Sequence, residues 1–235
     1  VLEIPSRNLD SFFADEDTLR YLLGREVLEM EKFPESRIAV LEGVMGFYDG
    51  LGGVSERSSA WEVADLTDTP VILLVDMKGR SLSALASIKG FLDYKEKSHV
   101  TGIVFNRLSP MLYPGLKERA ERELGIRVFG YVPELKDLTL ESRHLGLVMP
   151  EEILGIRERL DLIKEKVRVG INLDGIIEEA GRAAEIEVKL PEAAGWSLSD
   201  RIPKKTVVAV AKDEAFCFYY EDNLDLLKKL GAEIQ

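Results

Sequence analysis

Hydrophobic and polar positions along this chain alternate between short apolar runs and longer amphipathic stretches. Runs of strand length, rich in β-branched or aromatic residues, predict buried parallel strands at residues 37–41, 70–75, 100–105 and 128–132. Between and after them, a helical spacing of apolar residues predicts helices at residues 11–23, 81–94, 113–124 and 151–167. This alternation predicts an α/β fold in which helices cover both faces of a parallel sheet.

The pattern changes after residue 167. Residues 172–185 predict a helix with two internal glycines, and the segment that follows is rich in Pro, Gly, Ser and charge. An apolar strand at residues 206–211 and an amphipathic helix at 222–230 then form only the opening unit of a second α/β domain. We therefore expect a first domain at residues 1–167, a helix and interdomain linker at 168–204, and the start of a second domain at 205–235. We also expect the chain to be a piece of a longer protein.

Composition narrows the function classes. The chain has 31 Lys and Arg against 42 Asp and Glu, and this net charge of −11 disfavours general binding to nucleic acids or anionic membranes. One cysteine and two histidines exclude an internal disulfide framework and a zinc site rich in Cys and His. No apolar run approaches the roughly 20 residues of a membrane span. We expect a soluble, cytoplasmic protein without nucleic-acid or membrane partners.

Carboxylates follow the first predicted strand. Glu42 directly follows this strand, and Asp49 lies in a glycine-flanked turn shortly after it. Glycines allow a ligand to approach the backbone, and carboxylates at such a strand exit suit Mg²⁺ bound beside nucleotide phosphates. Alternatively, Glu42 accepts from nearby backbone amides and Asp49-Gly50 is an ordinary turn.

The other candidates also have two interpretations. Ser59 either caps the following helix or contributes to an anion site at its N-terminus. Asp76 either contacts a metal or ligand, or lies in a segment whose only role is to let Ser81 cap the next helix. After the third predicted strand, the side chain of Asn106 could hydrogen-bond to an adenine edge, and Arg107 could bind a phosphate or stack on a ring. The alternative is that Asn106 is an ordinary loop asparagine.

Arg143 and His144 concentrate positive charge beyond the fourth predicted strand. His144 is able to hold a proton near neutral pH or to donate a hydrogen bond to an anionic substrate. A lone histidine is more often structural, so this pattern alone leaves the role of His144 open.

Six segments, in family order, resemble the cobyrinic acid a,c-diamide synthase family. They are LEGVMGFYDG, SSAWEVADLTDTPVILLVDMKGRSLSALASIKGF, GIVFNR, VPEL, ESRHLGLV and VAVAKDEAFCFYYEDNLDLLKKLGAE. The resemblance implies an ATP- and glutamine-dependent ligase that amidates two carboxylates of a cobalamin-precursor ring through acyl phosphates. It also implies a first domain of the P-loop NTPase, dethiobiotin synthetase-like type and a second domain of the class I glutaminase type.

The resemblance implies roles for individual residues as well. Glu42 and Asp49 match family carboxylates, so they are expected to be catalytic and to hold Mg²⁺. ATP is expected at Asn106, Arg107 and Ser59. The tetrapyrrole polycarboxylate substrate is expected at Asn8, Asp10, Tyr48, Arg143 and His144. The proline and glutamate expected before Arg143 are replaced in this sequence, which reads ESRHLGL.

Two family features are not found in this sequence. It contains no GxxxxGK[ST] phosphate loop, and the family's glutaminase nucleophile is expected beyond residue 235. We therefore expect the chain alone to be inactive and to bind Mg-ATP weakly.

The sequence leaves other functions open. Nickel-sirohydrochlorin and hydrogenobyrinic acid a,c-diamide synthases would have nearly the same motifs, whereas Tyr48-Asp49-Gly50 disfavours cobyric acid synthase. A noncatalytic nucleotide-binding switch of the partition-ATPase type would not explain the glutaminase-like end of the chain. An isolated interaction fragment and a homodimer also stay open.

Overall fold

The computed structural model describes residues 6–29, 38–135, 155–187, 206–213 and 216–235. The helices in these ranges are α1 (Glu16–Glu29), α2 (Ala60–Thr67), α3 (Ser83–Asp93), α4 (Tyr113–Leu124), α5 (Ile156–Gly170), α6 (Leu173–Ala180) and α7 (Glu221–Lys229). The strands are β1 (Val71–Asp76), β2 (Val100–Asn106), β3 (Arg127–Val132), β4 (Val207–Val208) and β5 (Glu233–Ile234). None of the helices in these ranges is both long and apolar enough to cross a membrane.

Three of the predicted strands form one parallel sheet in the order β1-β2-β3. Asp76, the last residue of β1, is paired with Asn106, the last residue of β2. Because the strands are parallel, their carboxyl ends meet at one edge of the sheet. The α/β class and the parallel sheet flanked by helices are therefore confirmed.

One face of this sheet packs against α3 and α4. The buried cluster includes Ile88 from α3, Ala120 from α4, and Ile103 and Phe105 from β2. Coverage is less complete elsewhere, since Leu74 of β1 remains 68% exposed. Within the described residues the side chain of Leu74 is therefore open to solvent, and the expected covering of both faces stays a prediction at this part of β1.

The first predicted strand, at residues 37–41, is not a strand in the described part of that range. Residues 38–41 are irregular, and the side chain of Val40 is 86% exposed. A strand requires a hydrogen-bonded neighbour, and β1 pairs only with β2 among the described strands. Apolar composition alone was therefore an insufficient predictor at this position.

The first helix begins later than the predicted residue 11. Asp10 begins a turn, since its carbonyl accepts from the backbone N–H groups of Phe13 and Ala14. Asp15 then caps α1: its Oδ1 accepts from the backbone N–H of Thr18 at 2.9 Å. Hydrogen bonds from the side chain and from the backbone N–H of Thr18 lower the pKa of Asp15. The polar cap, and not the start of the apolar period, determines where the helix begins.

The end of the chain forms a small unit in which β4 and β5 are parallel and α7 connects them. The predicted strand at residues 206–211 is reduced to Val207–Val208, because its partner β5 is equally short. Asp222 of α7 accepts from Nη2 of Arg25 at 2.6 Å, which joins this unit to α1.

Candidate functional site

The residues expected to act in catalysis lie on one segment, residues 42–57, which we call the site loop. Glu42 and Asp49 are both exposed on it. The backbone N–H of Asp49 donates to the carbonyl of Gly46 at 2.9 Å, which closes a tight turn. The Asp49 carboxylate lies above Gly46, since an added Cβ on Gly46 would lie 2.0 Å from Oδ2 of Asp49. The glycine therefore makes room for this orientation of the carboxylate.

Tyr48 anchors the site loop to α3. Its hydroxyl donates to the carbonyl of Phe91 at 2.7 Å. Its ring stacks on Phe91 with a centroid distance of 5.9 Å and also contacts Phe47, Trp61 and Tyr94. Burial raises the pKa of Tyr48, and the charge of Tyr94 adds to this effect. In this structure the hydroxyl expected to bind substrate is thus engaged with the protein.

A second anchor lies at the other end of the site loop. Nζ of Lys95 donates to Oε1 of Glu56 at 2.6 Å, and it lies 4.6 Å from the centroid of the Trp61 ring. The Lys95 hydrogen bond lowers the pKa of Glu56. The Trp61 indole donates to the carbonyl of Lys97 at 2.9 Å. The sequence analysis did not single out Lys95, Glu56 or Trp61, and the 39-residue separation of Glu56 and Lys95 gives no local signal.

A cavity of about 500 Å³ opens between the site loop and α3. Asp49 and Glu56 line it from the loop, and Ser87 and Gly90 line it from the helix. The candidate carboxylate Asp49 therefore borders a space large enough for part of a small-molecule ligand.

The carboxyl ends of β1 and β2 bring a second group of candidates together. Nε of Arg107 donates to Oδ1 of Asp76 at 2.7 Å, and Nη2 of Arg107 donates to Oδ2. The pair lowers the pKa of Asp76 and raises that of Arg107. Asn106 lies beside it, and its carbonyl accepts from the N–H of Met77 at 2.8 Å. Arg107, expected to contact ATP, is therefore bound to Asp76 in this structure.

Ser59 has the geometry of a helix cap. Its side chain is buried, with 2% exposure for the residue, and Oγ accepts from the N–H of Glu62 at 3.2 Å. Glu62 in turn accepts from the N–H of Ser58 at 2.6 Å. Capping thus accounts for Ser59, while its expected role toward ATP stays a prediction.

The substrate candidates near the start of the chain lie in the turn before α1. Oδ1 of Asp10 accepts from the N–H of Phe12 at 2.8 Å, and Asn8 is exposed. Ser11 donates to Glu62 at 2.5 Å, so this turn is joined to α2 just after the site loop. Arg143 and His144 lie outside the described residues.

The acidic side chains of the described residues can be compared with the ligands that Mg²⁺ takes in proteins. Among the described residues, no three His, Cys, Asp or Glu side chains are grouped to hold a metal. Mg²⁺ usually keeps several waters and takes one or two carboxylates plus phosphate oxygens. Glu42 and Asp49 are each exposed on the site loop, so either carboxylate is accessible to such an ion.

Known proteins resemble the chain over almost all of its length. It is 35% identical to a cobyrinate a,c-diamide synthase of Listeria innocua over 98% of the chain and 49% of that protein. Similar matches are the proteins of the same name from Methanocaldococcus jannaschii, with 35% identity over 98% of the chain and 50% of that protein, and from Priestia megaterium, with 33% identity over 100% and 48%. The chain therefore spans about half the length of the curated relatives it matches. No protein-family profile and no solved structure matches it.

Proposed function

Because this chain is homologous to proteins named cobyrinate a,c-diamide synthase, we propose that it belongs to an amidating ligase of cobalamin biosynthesis. The substrate is the cobyrinic acid macrocycle, and the a and c side-chain carboxylates become amides. ATP supplies a phosphoryl group that turns each carboxylate into a better electrophile. Glutamine supplies the nitrogen through a glutaminase domain that would begin within residues 205–235.

The similarity over 98% of the chain is the observation that carries this proposal. The site loop adds support, because Asp49 borders the cavity and is exposed in a turn that fixes its backbone. We assign Glu42 and Asp49 to Mg²⁺ and to the charge that develops on the transferring phosphoryl group. Asn106 and Arg107, at the sheet edge, are the candidates for nucleotide binding.

The charge of the substrate requires a local cation. A polycarboxylate approaching a chain of net charge −11 is repelled unless a positive group faces it. Arg57, at the end of the site loop, is exposed, and the structure shows no ion-pair partner for it among the described residues. We assign Arg57 to a substrate carboxylate, which a guanidinium binds in a bidentate manner.

The test uses the full-length protein that contains this chain. Purified protein is incubated with cobyrinic acid, Mg-ATP and glutamine, and the products are resolved by mass spectrometry. We expect a monoamide followed by a diamide, with ADP and phosphate formed in step. Omitting ATP should abolish both products, and ammonium salts should replace glutamine.

Parallel reactions with nickel-sirohydrochlorin and hydrogenobyrinic acid decide the identity of the ring. A kcat/KM at least tenfold higher for one of these would reassign the substrate while leaving the ligase class intact. No amide product from any of the three rings would contradict the proposed function.

A further inference from the structure

The tip of the site loop has few contacts with the rest of the protein. Gly52 and Gly53 have φ values of 67° and 71°, and an added Cβ on either would meet nothing within 4 Å. Val54 is 94% exposed. The position of the tip therefore depends on the contacts of Tyr48 and Glu56, on either side of it, and not on packing of the tip itself.

Backbone hydrogen bonds make the second half of the loop one unit. The N–H of Gly50 donates to the carbonyl of Ser55 at 2.8 Å, and the N–H of Leu51 donates to the carbonyl of Arg57 at 2.8 Å. Gly50 directly follows Asp49. A displacement of residues 55–57 would consequently be transmitted to Asp49 through these two bonds.

Lys95 provides a side-chain contact that holds residues 55–57 to the domain. Its ammonium group is bonded to Glu56 at 2.6 Å and lies over the ring of Trp61, while the rest of the Lys95 side chain is largely covered. Trp61 is itself fixed by its 2.9 Å bond to the carbonyl of Lys97. A charge over an aromatic ring and against a carboxylate is more constrained than a simple surface ion pair.

We propose that Lys95 is a positioning residue for Asp49: through Glu56 it holds the site loop against the end of α3 and thereby orients the Asp49 carboxylate toward the cavity. This inference rests on the proposed function, since it assigns a purpose to the orientation of Asp49. The proposed role needs no direct contact of Lys95 with substrate or nucleotide.

The experiment compares Lys95→Met with Lys95→Arg in the full-length protein. Methionine keeps an apolar chain over Trp61 but removes the cation, whereas arginine retains both the charge and the ring contact. Lys89→Met is the matched control, because Lys89 lies on α3, shortly before Lys95 in the chain, and forms a 2.7 Å ion pair with Asp93. Glu56→Gln removes the charge from the other partner and provides a second variant.

We expect Lys95→Met to lower kcat about tenfold, with less than a twofold change in the KM for ATP, because a misplaced catalytic group affects the rate more than binding. Lys95→Arg should restore kcat to within about twofold, and Lys89→Met should resemble the wild type. The double variant Glu56→Gln/Lys95→Met should be no slower than the worse single variant.

Hydrogen exchange provides a readout independent of activity. The amides of Gly50 and Leu51 should exchange faster in Lys95→Met but not in Lys89→Met. Wild-type kcat or unchanged exchange in folded Lys95→Met would overturn the inference. Asp49→Asn separates the two claims: if it is inactive while Lys95→Met is fully active, only the positioning role fails, whereas an active Asp49→Asn contradicts the assignment of Asp49 itself.

Discussion

The hydroxyl of Tyr48 donates a 2.7 Å hydrogen bond to the backbone carbonyl of Phe91, so the residue before Asp49 is joined to α3. The family resemblance implies that Tyr48 binds substrate, and that role stays a prediction. The structure shows an additional use of the side chain, since the aromatic ring stacks on Phe91 and contacts Tyr94. Tyr48 therefore links the site loop to the hydrophobic core.

This link predicts different effects for two substitutions of Tyr48. Tyr48→Phe removes only the hydrogen bond to Phe91 and should lower the free energy of unfolding by about 1 kcal/mol. Tyr48→Ala also removes the ring contacts and should cost roughly 2–4 kcal/mol. Chemical denaturation measures both. Tyr94→Phe is the control, because the Tyr94 ring belongs to the same cluster and is largely exposed; a loss as large as that of Tyr48→Phe would contradict the role of the hydrogen bond.

Gly46→Ala should impair activity without unfolding the protein. The added Cβ would meet Oδ2 of Asp49, which is the end of a flexible side chain and is able to move away. We expect kcat to fall roughly tenfold while the Tm changes little, since only the carboxylate is displaced. Gly115→Ala, where an added Cβ meets nothing within 4 Å, is the control. Equal activity of the two variants would show that the orientation of Asp49 is unimportant.

Asp49→Asn and Glu42→Gln should each lower amidation by on the order of 10²-fold or more, because they remove charge from groups assigned to the phosphoryl transition state. Both residues are exposed, so the Tm should remain near that of the wild type. The rate at which the diamide product forms and the Tm are measured on the same protein preparations. Glu118→Gln, at an exposed pair with Arg122 on α4, serves as the control for loss of a surface carboxylate. Wild-type turnover in a folded variant would remove that residue from the site.

Arg57→Ala should raise the KM for the tetrapyrrole about tenfold and leave the KM for ATP nearly unchanged, because the assigned contact is with a substrate carboxylate. Arg57→Lys should recover only part of the loss, since an ammonium group cannot form the bidentate contact. Initial rates at varied substrate concentrations separate the two KM values. A change confined to the KM for ATP would instead place Arg57 beside the nucleotide.

The Asp76–Arg107 pair predicts a pH dependence of stability. The hydrogen bond from Arg107 holds the pKa of Asp76 below its usual value near 3.8. The pair therefore stabilises the fold above the pKa of the unfolded state, and this contribution is lost as the pH falls through the lower pKa of the folded state. The effect is small because both side chains are partly exposed.

Asp76→Asn should consequently have a lower Tm than the wild type at pH 7, and the difference should shrink as the pH approaches 3. Thermal unfolding at several pH values measures it. Asp93→Asn, which removes one partner of an exposed ion pair on α3, controls for loss of a surface charge. A difference in Tm that grows toward low pH would have the wrong sign for this explanation.

β2, β3 and α4 were predictable from sequence because their signals are local. The apolar runs of β2 and β3 coincide with pairing to a neighbour, and α4 spans the predicted residues 113–124. Residues 38–41 have the same kind of composition, yet they form no strand. The difference lies in whether a neighbouring strand is present, which depends on contacts between distant parts of the chain.

The sequence identified the chemical groups of the site more readily than the contacts that hold them. Glu42, Asp49 and Asn106 were identifiable from their motifs, and their roles stay predictions. Asp76 was considered as a ligand contact and Arg107 as a phosphate contact, but no local pattern indicated that the two bind each other. Lys95 was not identified, because its contact with Glu56 exists only after the site loop folds onto α3.

The exposed side of β1 has a practical consequence for work with this chain alone. In the described sheet β1 pairs on one side only, with β2, and Leu74 is bare to solvent. An unpaired strand edge with an apolar side chain is a template for adding another strand, including one from a second copy. Preparations of residues 1–235 should therefore self-associate in a concentration-dependent manner. Leu74→Lys would be the first substitution to try for keeping such preparations monomeric.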